Sequence, residues 1–120
     1  MLINLYLDDL RPCPENFVLA KNIEEAKEIM KENKVAIFSL DHDLGQDKEG
    51  NILPTGYDFV KYLCETGLDE TCKAIFLHTA NPVGKENMRQ LLRNAKKHGV
   101  IHPGIEVYPH KYYVDYEVYE

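Results

Sequence analysis

Short apolar runs alternate along the chain with longer segments in which apolar residues recur every three or four positions. The runs have the length and composition of β-strands and cover Leu2–Leu7, Val35–Leu40, Lys73–Leu77 and Ile105–Tyr108, with a shorter candidate at Phe17–Ala20. The periodic segments predict three helices, over residues 22–33, 55–67 and 82–99. This alternation indicates βαβ units and therefore a mainly parallel sheet flanked by helices.

The predicted helices have recognisable ends. Asn22 is a suitable N-cap, and Glu25 three residues later completes a capping-box pattern. Gly67 and Gly99 stand where the second and third helices should end. Val35–Leu40 is continuously apolar, which is typical of a central strand covered on both faces.

Polar residues follow directly after three of the predicted strands. They are Asp8-Asp9, Asp41-His42-Asp43 and His78-Thr79. Because the carboxyl ends of parallel strands meet at one edge of an open sheet, where ligands bind in such folds, we expect these groups to lie close together. Crowded carboxylates repel one another unless a cation lies among them, and oxygen ligands favour a hard divalent ion such as Mg²⁺ or Mn²⁺.

This pattern leads to a hypothesis about individual residues, in which the cation is presented to the phosphate group of a substrate. Asp8, Asp9 and Asp41 would hold the cation, and His42 or His78 would act as general acid or base. Asp43 would be a further ligand or would orient a histidine. Thr79 would position a phosphoryl oxygen and Arg11 would neutralise its charge, so that the catalytic group comprises His42, Asp43, His78, Thr79 and Arg11.

Composition narrows the classes of protein that remain. A chain of 120 residues is expected to be a single domain, and it shows neither a signal peptide nor an apolar stretch of membrane-spanning length, so we expect a cytoplasmic protein. A net charge of -6 argues against extensive nucleic-acid binding. The third helix offers either a local basic patch or an ordinary solvated face. The residues concerned are Lys85, Arg89, Arg93, Lys96 and Lys97.

The acidic strand ends resemble those of the receiver domains of two-component response regulators. Asp8-Asp9, Asp41 and Thr79-Ala80 match the acidic pair, the phosphate-accepting aspartate and the Thr-Ala pair of that family. The resemblance implies an α/β, receiver-like (flavodoxin-like) three-layer sandwich with a mostly parallel five-stranded sheet and magnesium at its acidic edge. The chain departs from receivers at Tyr108, which precedes Pro109 where receivers have a lysine.

A divergent branch of receivers fits the motifs better, because ordinary receivers lack the two histidines and the second acid. The chain resembles the cyclic-phosphate-processing receiver-like family through LYLDDLRP (5–12), SLDHDLG (39–45), TGYD (55–58) and HTANPVG (78–84). This resemblance implies a metal-dependent domain that acts on cyclic phosphate ends of RNA or on cyclic nucleotides.

Two other functions fit the same residues. The chain could be a signalling receiver that accepts a phosphoryl group on Asp41. It could also be a non-catalytic pseudo-receiver that binds a protein partner through its C-terminal tail, which begins at about residue 110. That tail contains Tyr112, Tyr113, Tyr116 and Tyr119.

Overall fold

A computed structural model describes residues 1–111 of the protein. Strands and helices follow one another as β1 (Leu2–Leu7), β2 (Val18–Ala20), α1 (Ile23–Glu32), β3 (Lys34–Leu40), α2 (Gly56–Thr66), β4 (Ala74–Leu77), α3 (Pro82–Lys97) and β5 (Glu106–Tyr108). The predicted strands and helices therefore all form, and the short run before residue 20 is a strand of three residues. The tyrosine-rich tail is predicted to begin at about residue 110, and from residue 112 onward it lies outside the described residues.

The five strands form one sheet in the order β2-β1-β3-β4-β5, and every neighbouring pair is parallel. This order is that of receiver-like flavodoxin folds, so the predicted fold class is confirmed. The continuously apolar run 35–40 forms the middle strand, β3, and is buried at almost every position. The sheet thus gathers the carboxyl ends of β1, β3 and β4 side by side.

All three helices lie on the same face of the sheet. The connections β2 to β3, β3 to β4 and β4 to β5 all proceed in one direction across the sheet, and right-handed crossovers then place their helices on one side. The main core joins Leu7, Leu40 and Leu77 of the sheet to Phe59 of α2 and Leu92 of α3. Burial of these apolar side chains is the main force that holds the helices to the sheet.

The opposite face carries Tyr6, Ile37 and Phe76, which strand alternation directs away from the helices. The connection from β1 to β2 proceeds in the reverse direction and so lies on this side; it is an irregular segment whose Phe17 packs edge-on against Tyr6. Within residues 1–111 the helices and the sheet supply two layers of the predicted three-layer sandwich. No helix of the described range is long and apolar enough to cross a membrane.

Helix ends agree with the capping signals of the sequence. Asn22 caps α1 by accepting a hydrogen bond from the Glu25 backbone N–H at 2.9 Å. Thr55 and Asp58 form a reciprocal capping box at the start of α2. Gly99, two residues after the last residue of α3, has a φ of +73°, a conformation that glycine adopts without strain.

Candidate functional site

The backbone fixes three of the predicted site residues at the carboxyl edge of the sheet. The parallel hydrogen-bond ladder continues one residue past β3 and β4, because the Asp41 N–H donates to the Leu7 carbonyl at 2.9 Å and the His78 N–H donates to the Leu40 carbonyl at 3.1 Å. Asp8 follows β1 in the same register. The side chains of Asp8, Asp41 and His78 therefore emerge side by side on the sheet face opposite the helices.

Asp8 is the most heavily hydrogen-bonded side chain of this group and is almost completely buried. Its Oδ1 accepts the backbone N–H groups of Leu10 and Arg11 at 2.9 and 3.0 Å. Its Oδ2 accepts Arg11 Nη1 at 2.9 Å and His78 Nε2 at 2.8 Å. Burial raises the pKa of Asp8, but these bonds outweigh it and lower the pKa to about 2, so Asp8 is ionised at neutral pH.

Arg11 bridges two of the carboxylates. The same Nη1 that contacts Asp8 lies 3.1 Å from Asp41 Oδ2, and the hydrogen bond that Arg11 donates to Asp8 is the main reason that the pKa of Arg11 is raised. The guanidinium thus supplies a positive charge between two acids. A metal ion alone was expected to supply the positive charge between these acids, whereas Arg11 provides part of it from the chain itself.

A candidate metal site remains beside this bridge. Asp8, Asp9 and Asp41 each offer an oxygen, and these oxygens lie within 4.8 Å of one another. Asp9 Oδ1 is buried and has no hydrogen-bond partner among residues 1–111, which is costly for a carboxylate unless a cation binds it. Three carboxylates with an unsatisfied oxygen suit a hard divalent cation, so these residues could bind a metal ion.

His78 does not face solvent, which bears on the choice between the two histidines. Its side chain is 1% exposed and stacks on Tyr6 with ring centroids 4.6 Å apart. An ionised Asp8 can only accept, so Nε2 carries the proton and Nδ1 accepts from Ser39 Oγ at 2.7 Å. Burial lowers the pKa of His78, which favours this neutral form. His78 therefore holds Asp8 in place.

His42 is the more accessible histidine, with 17% of its side chain exposed. Its Nδ1 lies 3.0 Å from Asp43 Oδ1, and Asn81 Nδ2 donates to the other oxygen of Asp43 at 3.4 Å. Asp43 therefore orients His42, and it does not belong to the carboxylate cluster found among the described residues. The Nδ1 atom of His42 is therefore engaged by Asp43.

Thr79 and Asn81 shape the loop that follows β4. Thr79 is buried, and its Oγ1 accepts the Asn81 N–H at 3.1 Å. Asn81 in turn caps α3, because its Oδ1 accepts the Gly84 N–H at 3.0 Å. The Gly84 N–H is consequently engaged within the chain.

Three glycines of the quoted motifs, none of them predicted as a site residue, allow the loops to approach one another. A Cβ on Gly45 would lie 2.8 Å from Asp9 Oδ2, and Gly45 also has a φ of +88°. A Cβ on Gly56 would lie 1.9 Å from the Asp41 carbonyl oxygen, and one on Gly84 would lie 2.5 Å from the His42 ring. Glycine disfavours a helix, so its presence in the first turn of α2 and of α3 is the feature of the sequence that could have indicated a close contact with a neighbouring loop.

Replacing Gly84 with alanine is expected to displace the His42 ring, because the new methyl group would overlap Cγ and Cδ2. Alanine is a better helix former than glycine by about 1 kcal/mol, so any loss of stability would come from this overlap. The imidazole resonances of His42 in NMR spectra should shift strongly. Val83→Ala, at an exposed neighbouring position, is the control and should leave them unchanged. An unmoved His42 in Gly84→Ala would contradict the packing described.

An open parallel sheet whose carboxyl edge carries an acidic cluster defines a receiver-like α/β domain. The family model of the cyclic-phosphate processing Receiver domain matches residues 3–94, and the chain belongs to that family. Searches of curated proteins and of solved structures gave no significant match. The resemblance identified from the motifs is thereby confirmed.

Proposed function

We propose that this domain is a metal-dependent phosphoesterase that hydrolyses cyclic phosphates, either at RNA ends or in nucleotides. The observation that carries the proposal is the buried Asp9 Oδ1, which has no hydrogen-bond partner in the described part of the chain and lies within a cluster of three carboxylates at the ligand-binding edge of the sheet. Membership of the cyclic-phosphate processing family supports a phosphate-bearing substrate. The oriented His42 beside this edge supplies a group that can transfer protons.

Asp8, Asp9 and Asp41 would hold Mg²⁺ or Mn²⁺. When bound, such an ion polarises phosphoryl oxygens and lowers the pKa of a coordinated water. Arg11 lies against two of these carboxylates and would place its guanidinium beside the phosphoryl group, where its charge offsets that of the phosphate. The Thr79 hydroxyl accepts a bond from Asn81 and would donate its own proton to a phosphoryl oxygen.

His42 would move the protons of the reaction. Hydrolysis of a 2′,3′-cyclic phosphate forms a bond from water to phosphorus and breaks one phosphorus–oxygen bond of the ring. The attacking water loses a proton and the departing ribose oxygen gains one. Nε2 of His42 can accept the first proton or donate the second, while Asp43 keeps the ring in the required orientation. His78, which is buried against Asp8, would act as a positioning residue.

Hydrolysis of a 2′,3′-cyclic mononucleotide with Mn²⁺ or Mg²⁺ tests this assignment. His42→Ala is expected to lower kcat by about 10²- to 10⁴-fold, the usual contribution of a general acid or base. His98→Ala, at the exposed end of α3, is the control and should keep full activity. Absence of turnover with every divalent metal would refute the enzymatic proposal, and lasting phosphorylation of Asp41 by acetyl phosphate would favour a signalling receiver instead.

A further inference from the structure

Helix α3 carries an unusual concentration of positive charge in a chain that is acidic as a whole. Five of its sixteen residues are basic and Glu86 is its single acid, against a net charge of -6 for the chain. Four of the basic residues recur at intervals of four, four and three positions, which places them along one side of the helix. We name this set the basic stripe; it comprises Lys85, Arg89, Arg93 and Lys96.

The stripe borders a shallow groove between α3 and β5. Arg89, Arg93 and Lys96 line a cavity of about 190 Å³ together with Glu106 and Val107 of β5. Arg89 is paired with Glu86 on its own helix at 3.1 Å, an exposed contact of small energetic value. Within residues 1–111 the other three members of the stripe form no ion pair, so their charges are available to a ligand.

The stripe leads away from the candidate site. α3 begins at Pro82, directly after Asn81, whose side chain contacts Asp43, and Lys85 follows within the first turn. From Lys85 to Lys96 the helix rises by about 16 Å. That length spans roughly three to five phosphates of a nucleic-acid strand, since strand charges lie about 3.4 Å apart along a duplex and farther apart when extended.

We propose that the basic stripe binds the phosphate backbone of an RNA strand whose cyclic phosphate end lies at the acidic edge of the sheet. The proposal rests on the proposed function and narrows its substrate from cyclic phosphates in general to polynucleotide ends. A line of regularly spaced cations suits a polyanion with regularly spaced charges. RNA is the nucleic acid concerned, because a 2′,3′-cyclic phosphate requires the 2′-hydroxyl that DNA lacks.

Fluorescence anisotropy with a short single-stranded RNA that ends in a 3′-phosphate measures this binding without any turnover. The double variant Arg93→Gln/Lys96→Gln is expected to bind about tenfold more weakly or worse than the unsubstituted protein, and the slope of log K against log salt between about 50 and 200 mM should fall by about one to two. The control Lys27→Gln/Lys61→Gln removes the same charge from α1 and α2 and should change affinity less than about twofold. Thermal unfolding would verify that both variants fold.

Hydrolysis assays distinguish a failure of the stripe proposal from a failure of the proposed function. The stripe variant should lose kcat/KM on an RNA with a cyclic phosphate end but keep it on a 2′,3′-cyclic mononucleotide, which is too small to reach the stripe. The stripe proposal would be overturned if both double variants weakened RNA binding equally, or if neither affected it. It would also be overturned if the protein did not bind RNA at all, even if the mononucleotide is hydrolysed. Stripe-dependent RNA binding without hydrolysis would support the surface and refute the enzymatic assignment.

Discussion

Replacement of Asp8 by alanine is expected to lower the free energy of unfolding by about 3–5 kcal/mol, the usual cost of removing one partner from a buried charged pair. Asp8 accepts bonds from Arg11, His78 and the backbone N–H of Leu10. Its loss leaves the His78 ring N–H buried without an acceptor and removes a counter-charge from Arg11. Urea unfolding without metal measures the stability loss, and Mn²⁺ titration should show no specific binding.

Asp9→Asn is the matched variant that separates metal binding from folding. Asp9 Oδ1 has no partner among the described residues, so removal of this charge breaks no hydrogen bond of that atom and relieves repulsion from Asp8 and Asp41. We expect unchanged or slightly higher stability without metal and a large loss of Mn²⁺ affinity. Equal destabilisation by Asp8→Ala and Asp9→Asn, or full Mn²⁺ affinity in Asp9→Asn, would contradict the assignment.

The ionisation of Asp8 makes the free energy of unfolding depend on pH. The folded state lowers the pKa of Asp8 from 3.8 to about 2. Between these values the unfolded chain binds more protons, so Asp8 contributes stability above pH 4 that is lost as the pH falls through 2, an amount of about 2 kcal/mol. Unfolding curves recorded across this range should lose this dependence in Asp8→Ala.

Replacement of Gly56 by alanine is expected to cost about 3 kcal/mol or more, because the backbone itself must move. The added Cβ would lie 1.9 Å from the Asp41 carbonyl oxygen and 2.9 Å from Met88 Cε. The Gly56 N–H also donates to the His42 carbonyl at 2.7 Å, so any shift of α2 weakens a bond to the same loop. Overpacking of a tight contact usually costs about 1–3 kcal/mol, and backbone contacts are the least able to relax.

Gly50→Ala is the control for this substitution. Gly50 has a φ of +83° but no atom within 4 Å of an added Cβ, so its cost should be the conformational one of about 1–2 kcal/mol. Urea unfolding of both variants gives the comparison, and a lower Mn²⁺ affinity in Gly56→Ala would report the displacement of Asp41. A Gly56 variant as stable as the Gly50 variant would show that the contact with Asp41 relaxes easily.

Much of the site follows from strand ends alone. Asp8, Asp41 and His78 come directly after apolar runs, and parallel pairing brings such positions to one edge whatever the loops contain. The positions of the strand ends do not show whether His42 or His78 is the more accessible histidine. Accessibility depends on which face of the sheet each side chain occupies and on what covers that face, and these are properties of the assembled layers.

Local periodicity in the sequence predicts the succession of strands and helices along the chain and the caps of the helices. The geometry of parallel sheets then predicts the edge at which the polar groups meet. The folded structure was needed to show that Arg11 bridges Asp8 and Asp41 and that His78 is buried between Tyr6 and Ser39. It also decided which glycines are required for the loops to meet. These features depend on distances between segments far apart in the chain, and such distances are fixed only when the layers pack together.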